Sequence, residues 1–271
     1  MIAFPNAKIN LGLNITGKRT DGYHDLESVF YPVAYTDVLE LTAVDTEAFE
    51  LKCTGLEISG SQESNLVWKA WQVLSERYNA PAVHAHLHKS IPMGAGLGGG
   101  SADGAFMLSL LNDQCQLGLD VETLESLALE LGSDCPFFIR NQAQMVTGRG
   151  EIMEPFDLSL AGYWIALVSP NVHIGTAEAY ANVAPGPADY NLAEALSTPV
   201  NEWRDVVYNQ FERSVFPNHP ELAAIKEKMY EINGALYVSM TGSGSTVFGI
   251  FDRQPILWPF KELRTWVGKL R

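Results

Sequence analysis

Ile91-Pro92-Met93-Gly94-Ala95-Gly96-Leu97-Gly98-Gly99-Gly100-Ser101 puts five glycines into the seven positions 94–100 and runs directly into the mostly apolar stretch 102–111. Such density lets several backbone N–H groups turn toward one small anion, and a helix opening at the end of the loop adds the positive end of its dipole. A flexible turn is the bland alternative. The surroundings favour a phosphate cradle, because a strand-like segment at 83–89 leads into the loop and Ser101 stands where a helix takes its N-cap. It is not a Walker loop, since no Lys follows Gly100. A dinucleotide fingerprint fits poorly as well, because no βαβ unit of the expected spacing supplies an acidic ribose partner.

Around this loop lie 271 residues, 46% of them hydrophobic, enough for two cores of ordinary size. The formal net charge of −14 lacks the basic footprint that nucleic acid or an anionic membrane requires, so neither is expected as a partner. Cys53, Cys115 and Cys135 are odd in number and without C-x-x-C spacing, which points away from a disulfide framework or a zinc knuckle and toward a reducing cytoplasm. No export signal is expected over 1–10, nor any membrane-spanning run.

Residues 8–16 alternate strictly, with Ile9, Leu11, Leu13 and Ile15 on one face and Lys8, Asn10, Gly12, Asn14 and Thr16 on the other. The pattern is a strand with one apolar face; the polar face reads equally well as a solvent face or as the lining of a cleft. Strand-like runs at 26–33, 38–44 and 49–54 suggest an antiparallel meander. A helix is expected from Asn65, a good cap residue, followed by helices at 102–112 and 121–131 and a strand at 144–148. The acidic, Pro-containing 151–157 reads as a boundary and divides the chain into domains 1–153 and 154–271. Beyond it the pattern gives a strand at 164–168, helices at 177–183, 203–211 and 222–232, and a strand pair at 235–240 and 246–251 around the turn Thr241-Gly242-Ser243-Gly244-Ser245. An amphipathic helix is expected over 258–271. The fold class is α+β.

Local chemistry is less decisive. Asp134, two residues before Pro136, is enriched context for a catalytic acid but reads on its own as an N-cap. Cys135 reads as buried and structural, and His84, His86 and His88 as the polar side of a strand rather than a zinc site. Asp21-Gly22-Tyr23-His24 is either a turn with a packed ring or a platform for a flat base.

Four separated regions taken together say more. Ala7-Lys8-Ile9-Asn10-Leu11-Gly12-Leu13 with Gly17-Lys18-Arg19-Thr20-Asp21-Gly22-Tyr23-His24, then 92–101, then 131–136, then 241–245, resemble in order the GHMP small-molecule kinases, and the first region resembles their cytidyl-methylerythritol branch. The resemblance implies a two-domain GHMP kinase fold with the active site between domains. It also implies ATP-dependent phosphorylation of the 2-hydroxyl of the methylerythritol moiety, with Mg²⁺ accompanying ATP and no protein-held metal. By position, Asp134 matches the catalytic base and Lys8 its charged partner. Pro92, Gly94, Gly96, Gly98, Gly99, Gly100 and Ser101 match the ATP phosphate loop, and Asn65 and Lys89 its adenine side. Asn10, Tyr23, His24, Thr176 and Tyr180 match the cytidyl substrate. The implied protein is a cytoplasmic monomer or homodimer. Two readings compete: a GHMP kinase for another small alcohol, such as mevalonate or homoserine, and a catalytically silent nucleotide-binding regulator. Ala102 lacks the hydroxyl that many members carry, and Gly104 costs roughly 1 kcal/mol of helix propensity relative to Ala.

Overall fold

The alternation at 83–89 organises the first half of the protein. In the computed structural model, which describes residues 1–44, 48–181 and 183–271, the chain separates into two compact units. The first consists of Met1–Ala7, Tyr35–Met93 and Gly98–Gln142, the second of Lys8–Ala34, Gly94–Leu97 and Ala143–Arg271. Both sides of position 153/154 lie in the second unit, within a strand.

In chain order the elements open with β1 (Ile2–Ala3), β2 (Asn6–Lys18), β3 (His24–Thr36), β4 (Val38–Ala43) and β5 (Glu50–Gly55). Then come α1 (Leu66–Tyr78), β6 (Val83–Lys89), α2 (Gly99–Gln114), α3 (Val121–Leu131) and α4 (Phe137–Arg140). The first unit holds the mixed sheet β1-β4-β6-β5. β6 turns Val83, Ala85, Leu87 and Lys89 to the buried side and His84, His86 and His88 to the other. The expected meander is corrected here: β4 and β5 do not pair, because β6 lies between them, antiparallel to β4 and parallel to β5. α1 begins at its expected cap, the Asn65 side chain accepting from the Val67 N–H at 2.9 Å. It packs on α2 at Gly104, where a Cβ would lie 2.8 Å from Leu66 Cβ, so the glycine that weakens the helix permits close helix contact.

The second unit adds β7 (Gln144–Thr147), β8 (Ile152–Pro155), β9 (Trp164–Ser169), α5 (Thr176–Ala181), α6 (Leu192–Leu196), α7 (Phe211–Val215) and α8 (Pro220–Tyr230). It ends with β10 (Ala235–Met240), β11 (Val247–Phe251) and β12 (Arg264–Lys269). Two sheets run β2-β3-β7-β8 and β10-β11-β9-β12. Leu13 and Ile15 share a core with Val168, Phe211, Leu222 and Met240. The polar face of β2 is no solvent face over its first ten residues, since Lys8, Asn10 and Asn14 are buried there; only Thr16, Gly17 and Lys18 at its end are not.

Two expected helices are corrected. Over 203–211 only a 3₁₀ turn, Val200–Asp205, and the start of α7 appear, because the Tyr208 carbonyl and the Gln210 N–H are spent on Leu13. The C-terminal 258–271 holds a 3₁₀ turn, Trp258–Phe260, and the edge strand β12, antiparallel to β9. Gly268 and the β-branched Thr265 and Val267 suit that pairing better than a helix. Among the described residues, no helix is long and apolar enough to cross a membrane.

Candidate active site

The glycine loop builds its own backbone. Gly94, Gly96 and Gly98 have φ of 64°, 77° and 69°, a region that side chains disfavour. At Gly96 a Cβ would also run into the Thr241 carbonyl. The second unit anchors its share of the loop: Lys8 N–H donates to Leu97 O at 2.9 Å, Thr246 N–H to Ala95 O at 3.2 Å, and the Thr241 hydroxyl to Gly96 O at 3.1 Å. The expected Ser101 cap is corrected, because α2 starts three residues earlier, at Gly99, with Gly98 as its cap. Ser101 therefore lies inside the first turn, where its hydroxyl hydrogen-bonds the Cys135 thiol. That thiol is buried, and burial pushes it up to about 12, which suits a structural cysteine and not a nucleophile.

On β2, Lys8 Nζ donates to Asn10 Oδ1 at 2.8 Å and lies 4.1 Å from the centroid of the Phe30 ring. Asn10 in turn donates to the Ser28 hydroxyl at 3.0 Å, and its Oδ1 lies 3.2 Å from the Thr241 hydroxyl, whose one proton is shared between that oxygen and Gly96 O. The Asn10 amide thus orients Lys8, and Ser28 and Thr241 hold that amide in place. Neither of these two supports was singled out from sequence, although 241–245 carried part of the resemblance. In the same unit, His24 and Tyr180 stack with centroids 4.8 Å apart and planes at 20°. Thr176 opens α5 one turn before Tyr180. Tyr23 is exposed, with the Arg149 guanidinium 5.0 Å from its ring centroid.

In the first unit, Asp134 stands in the turn after α3. It does not cap α4, whose cap position is Pro136. Asn65 lines two adjoining cavities. One, of 360 Å³, is walled by Leu51, Cys53, Leu56 and Ile58; the other, of 110 Å³, reaches Met93, Gly100 and Asp103. Lys89, expected beside adenine, has a fully buried ammonium group paired with Asp37 and, at 2.8 Å, with Asp103 Oδ2. Any contact it makes with a nucleotide must therefore come from its backbone. Asp37 and Asp103 were not singled out from sequence; the signal for them was the alternation that sends Lys89 inward, where a lysine requires carboxylates.

Pro92, Gly99 and Gly100 complete the loop's first-unit portion; a Cβ at Gly99 would meet Lys89 Nζ at 2.9 Å. On β5 and β6 two of the three histidines are satisfied locally, His86 and His88 both hydrogen-bonding the Thr54 hydroxyl at 2.8 and 3.0 Å. Among the described residues no cluster of His, Cys, Asp and Glu is suited to hold a metal ion.

A kinase class accounts for both halves of this arrangement. The model described as GHMP kinases N terminal domain matches residues 65–142, and the one described as GHMP kinases C terminal matches 192–256. A 4-diphosphocytidyl-2-C-methyl-D-erythritol kinase of Parabacteroides distasonis is 52% identical, covering 100% of both chains. One of the same name from Bacteroides thetaiotaomicron is 51% identical over 95% of this chain and 94% of its own. A crystal structure of 4-(cytidine 5'-diphospho)-2C-methyl-D-erythritol kinase superposes with a TM-score of 0.84 at 30% identity, covering 100% of this chain and 99% of that one. The Methanococcus jannaschii mevalonate kinase, at 10% identity and a TM-score of 0.71, shares the fold. The chain belongs to the 4-diphosphocytidyl-2-C-methyl-D-erythritol kinase family of the GHMP kinases.

Proposed function

We propose that this chain transfers the γ-phosphoryl group of ATP to the 2-hydroxyl of 4-diphosphocytidyl-2-C-methyl-D-erythritol, in the cytoplasm, on the non-mevalonate route to isoprenoid precursors. The single observation that carries the reading is 52% identity along the whole chain to a kinase of that name. Mg²⁺ enters with ATP as part of the substrate.

Phosphoryl transfer through a loose transition state asks chiefly for positioning and charge stabilisation. The left-handed glycines and the start of α2 supply backbone donors for the phosphates. Asp134 accepts the proton of the attacking hydroxyl, and Lys8, held by Asn10, stabilises the oxyanion that forms. Tyr180 offers the cytosine ring a face, and His24 reads its edge. The cavities beside Asn65 take the nucleoside of ATP.

The test is a coupled assay of ADP release with cytidyl-methylerythritol, mevalonate and homoserine side by side. Turnover confined to the first supports the reading. Preference for either of the others moves the chain to a different GHMP activity, and ATP binding without turnover on any of them leaves a silent regulator.

A further inference from the structure

Three consecutive peptide groups of the glycine loop are held by their carbonyl ends alone. Ala95 O accepts from Thr246 N–H at 3.2 Å, Gly96 O from the Thr241 hydroxyl at 3.1 Å, and Leu97 O from Lys8 N–H at 2.9 Å. The N–H groups of the same three peptides belong to Gly96, Leu97 and Gly98, and among the described residues none of them has a hydrogen-bond partner. An anion arriving at these N–H groups acts on the carbonyls behind them, because a peptide whose N–H donates becomes a stronger acceptor at its oxygen.

In the middle peptide the carbonyl's partner has a choice. Thr241 is fully buried, and its hydroxyl oxygen already accepts Asn10 N–H at 3.1 Å. Its single proton can go to Gly96 O at 3.1 Å or to Asn10 Oδ1 at 3.2 Å. Asn10 Oδ1 is also the atom that receives Lys8 Nζ, at 2.8 Å. While Thr241 donates to it, that oxygen serves two donors. Once the proton turns to Gly96, it serves the ammonium alone.

With distances so nearly equal, the stronger acceptor takes the proton, and a phosphate oxygen on Leu97 N–H decides for Gly96 O. We infer that Thr241 is a positioning residue that couples the two substrates: a triphosphate at the glycine loop turns its hydroxyl toward Gly96 and leaves Asn10 Oδ1 to hold Lys8 undivided. Lys8 is thereby held most firmly when a phosphoryl donor is in place. This rests on the proposed use of ATP and of Lys8. The coupling is reciprocal, so the acceptor tightens the donor as much as the donor tightens the acceptor.

Calorimetric titration of the full chain with cytidyl-methylerythritol, alone and in the presence of the non-hydrolysable analogue AMP-PNP with Mg²⁺, tests the coupling. The parent is expected to bind the acceptor about five- to tenfold more tightly with the analogue. Thr241→Val, which keeps the shape and loses the hydroxyl, is expected to reduce that gain to less than about twofold, and Thr241→Ser to keep it. A merely structural Thr241 would weaken both affinities in the Val variant and leave their ratio unchanged, which overturns the inference. In the parent, the nitrogen-15 resonance of the Lys8 ammonium is expected to move when AMP-PNP binds with no acceptor present; an unmoved signal overturns the inference even if neither variant folds. A parent that binds both ligands without coupling loses this inference and keeps the proposed reaction, whereas failure to bind either ligand removes both.

Discussion

The imidazole of His24 lies against the ring of Tyr180, 4.8 Å between centroids and 20° between planes, while Phe211 meets Tyr180 edge-on at 4.8 Å. One face of Tyr180 is thus already covered, so a cytosine that stacks on that face takes the place of His24. Base–aromatic stacking is worth about 1–3 kcal/mol. Tyr180→Leu is therefore expected to raise KM for the cytidyl substrate roughly ten- to hundredfold with a smaller change in kcat. His24→Ala is expected to narrow the preference over the uridine analogue, whose ring presents the reverse donor and acceptor pattern. Equal kcat/KM for the two substrates in the parent protein would remove base reading from this site.

Asp134 and Lys8 are expected to act as one catalytic unit. Asp134→Asn and Lys8→Ala should each lower kcat by about 10²–10⁴-fold with ATP affinity nearly unchanged. Groups that act together lose less than the product when removed together. Steady-state kinetics of the double variant decide the matter, and a fully multiplicative loss would separate the two roles.

The buried Asp103 gives stability a definite pH dependence. Its carboxyl group is raised from 3.8 to about 8 by burial. Between those values the folded protein holds a proton that the unfolded chain releases. The stabilisation from this group is fully present below about 3.8 and is lost as pH rises through about 8. Exposed carboxylates such as Asp120 and Glu130 are lowered by their hydrogen bonds and act in the opposite sense at acid pH, so the quantity to measure is the difference between parent and Asp103→Asn. Denaturant melts should show the parent's relative stability declining from pH 5 to pH 8, a range set by that shift. A flat difference would mean that Asp103 is ionised throughout.

Gly104→Ala sets helix propensity against packing. Propensity alone favours Ala by about 1 kcal/mol. The added methyl, however, would stand 2.8 Å from Leu66 Cβ, and forcing atoms into a filled core costs about 1–3 kcal/mol. A lower denaturation midpoint is the expected outcome. A higher one would mean that α1 can move away from α2 at little cost.

Much of the fold was legible because it rests on local pattern: the β2 alternation, the Asn65 cap and the limits of α3 follow directly from their residues. Pairing order was not, since nothing in β4 or β5 indicates that β6 comes between them. The 203–211 segment has helical spacing, but its backbone serves Leu13, nearly two hundred positions earlier. Of the proposed site, the loop was visible as a motif, whereas Lys8 and Asp134 took their roles only from the resemblance to the GHMP kinases. The carboxylates around Lys89 were missed although the β6 alternation puts that lysine in the core; reading the apolar face through to its last member identifies it as buried and in need of acids.

The bond from Asn10 N–H to the Thr241 hydroxyl joins groups 231 residues apart. A ribosome adding roughly 5–20 residues per second brings out the second partner on the order of 10–50 s after the first. The hairpin's own sheet, β2-β3-β7-β8, is complete in sequence by Pro155, but the Thr241 that holds Asn10 is still to come. The segment that holds Lys8 thus emerges early in synthesis and is completed near its end, so the last contacts that orient Lys8 form only when almost the whole chain has been made.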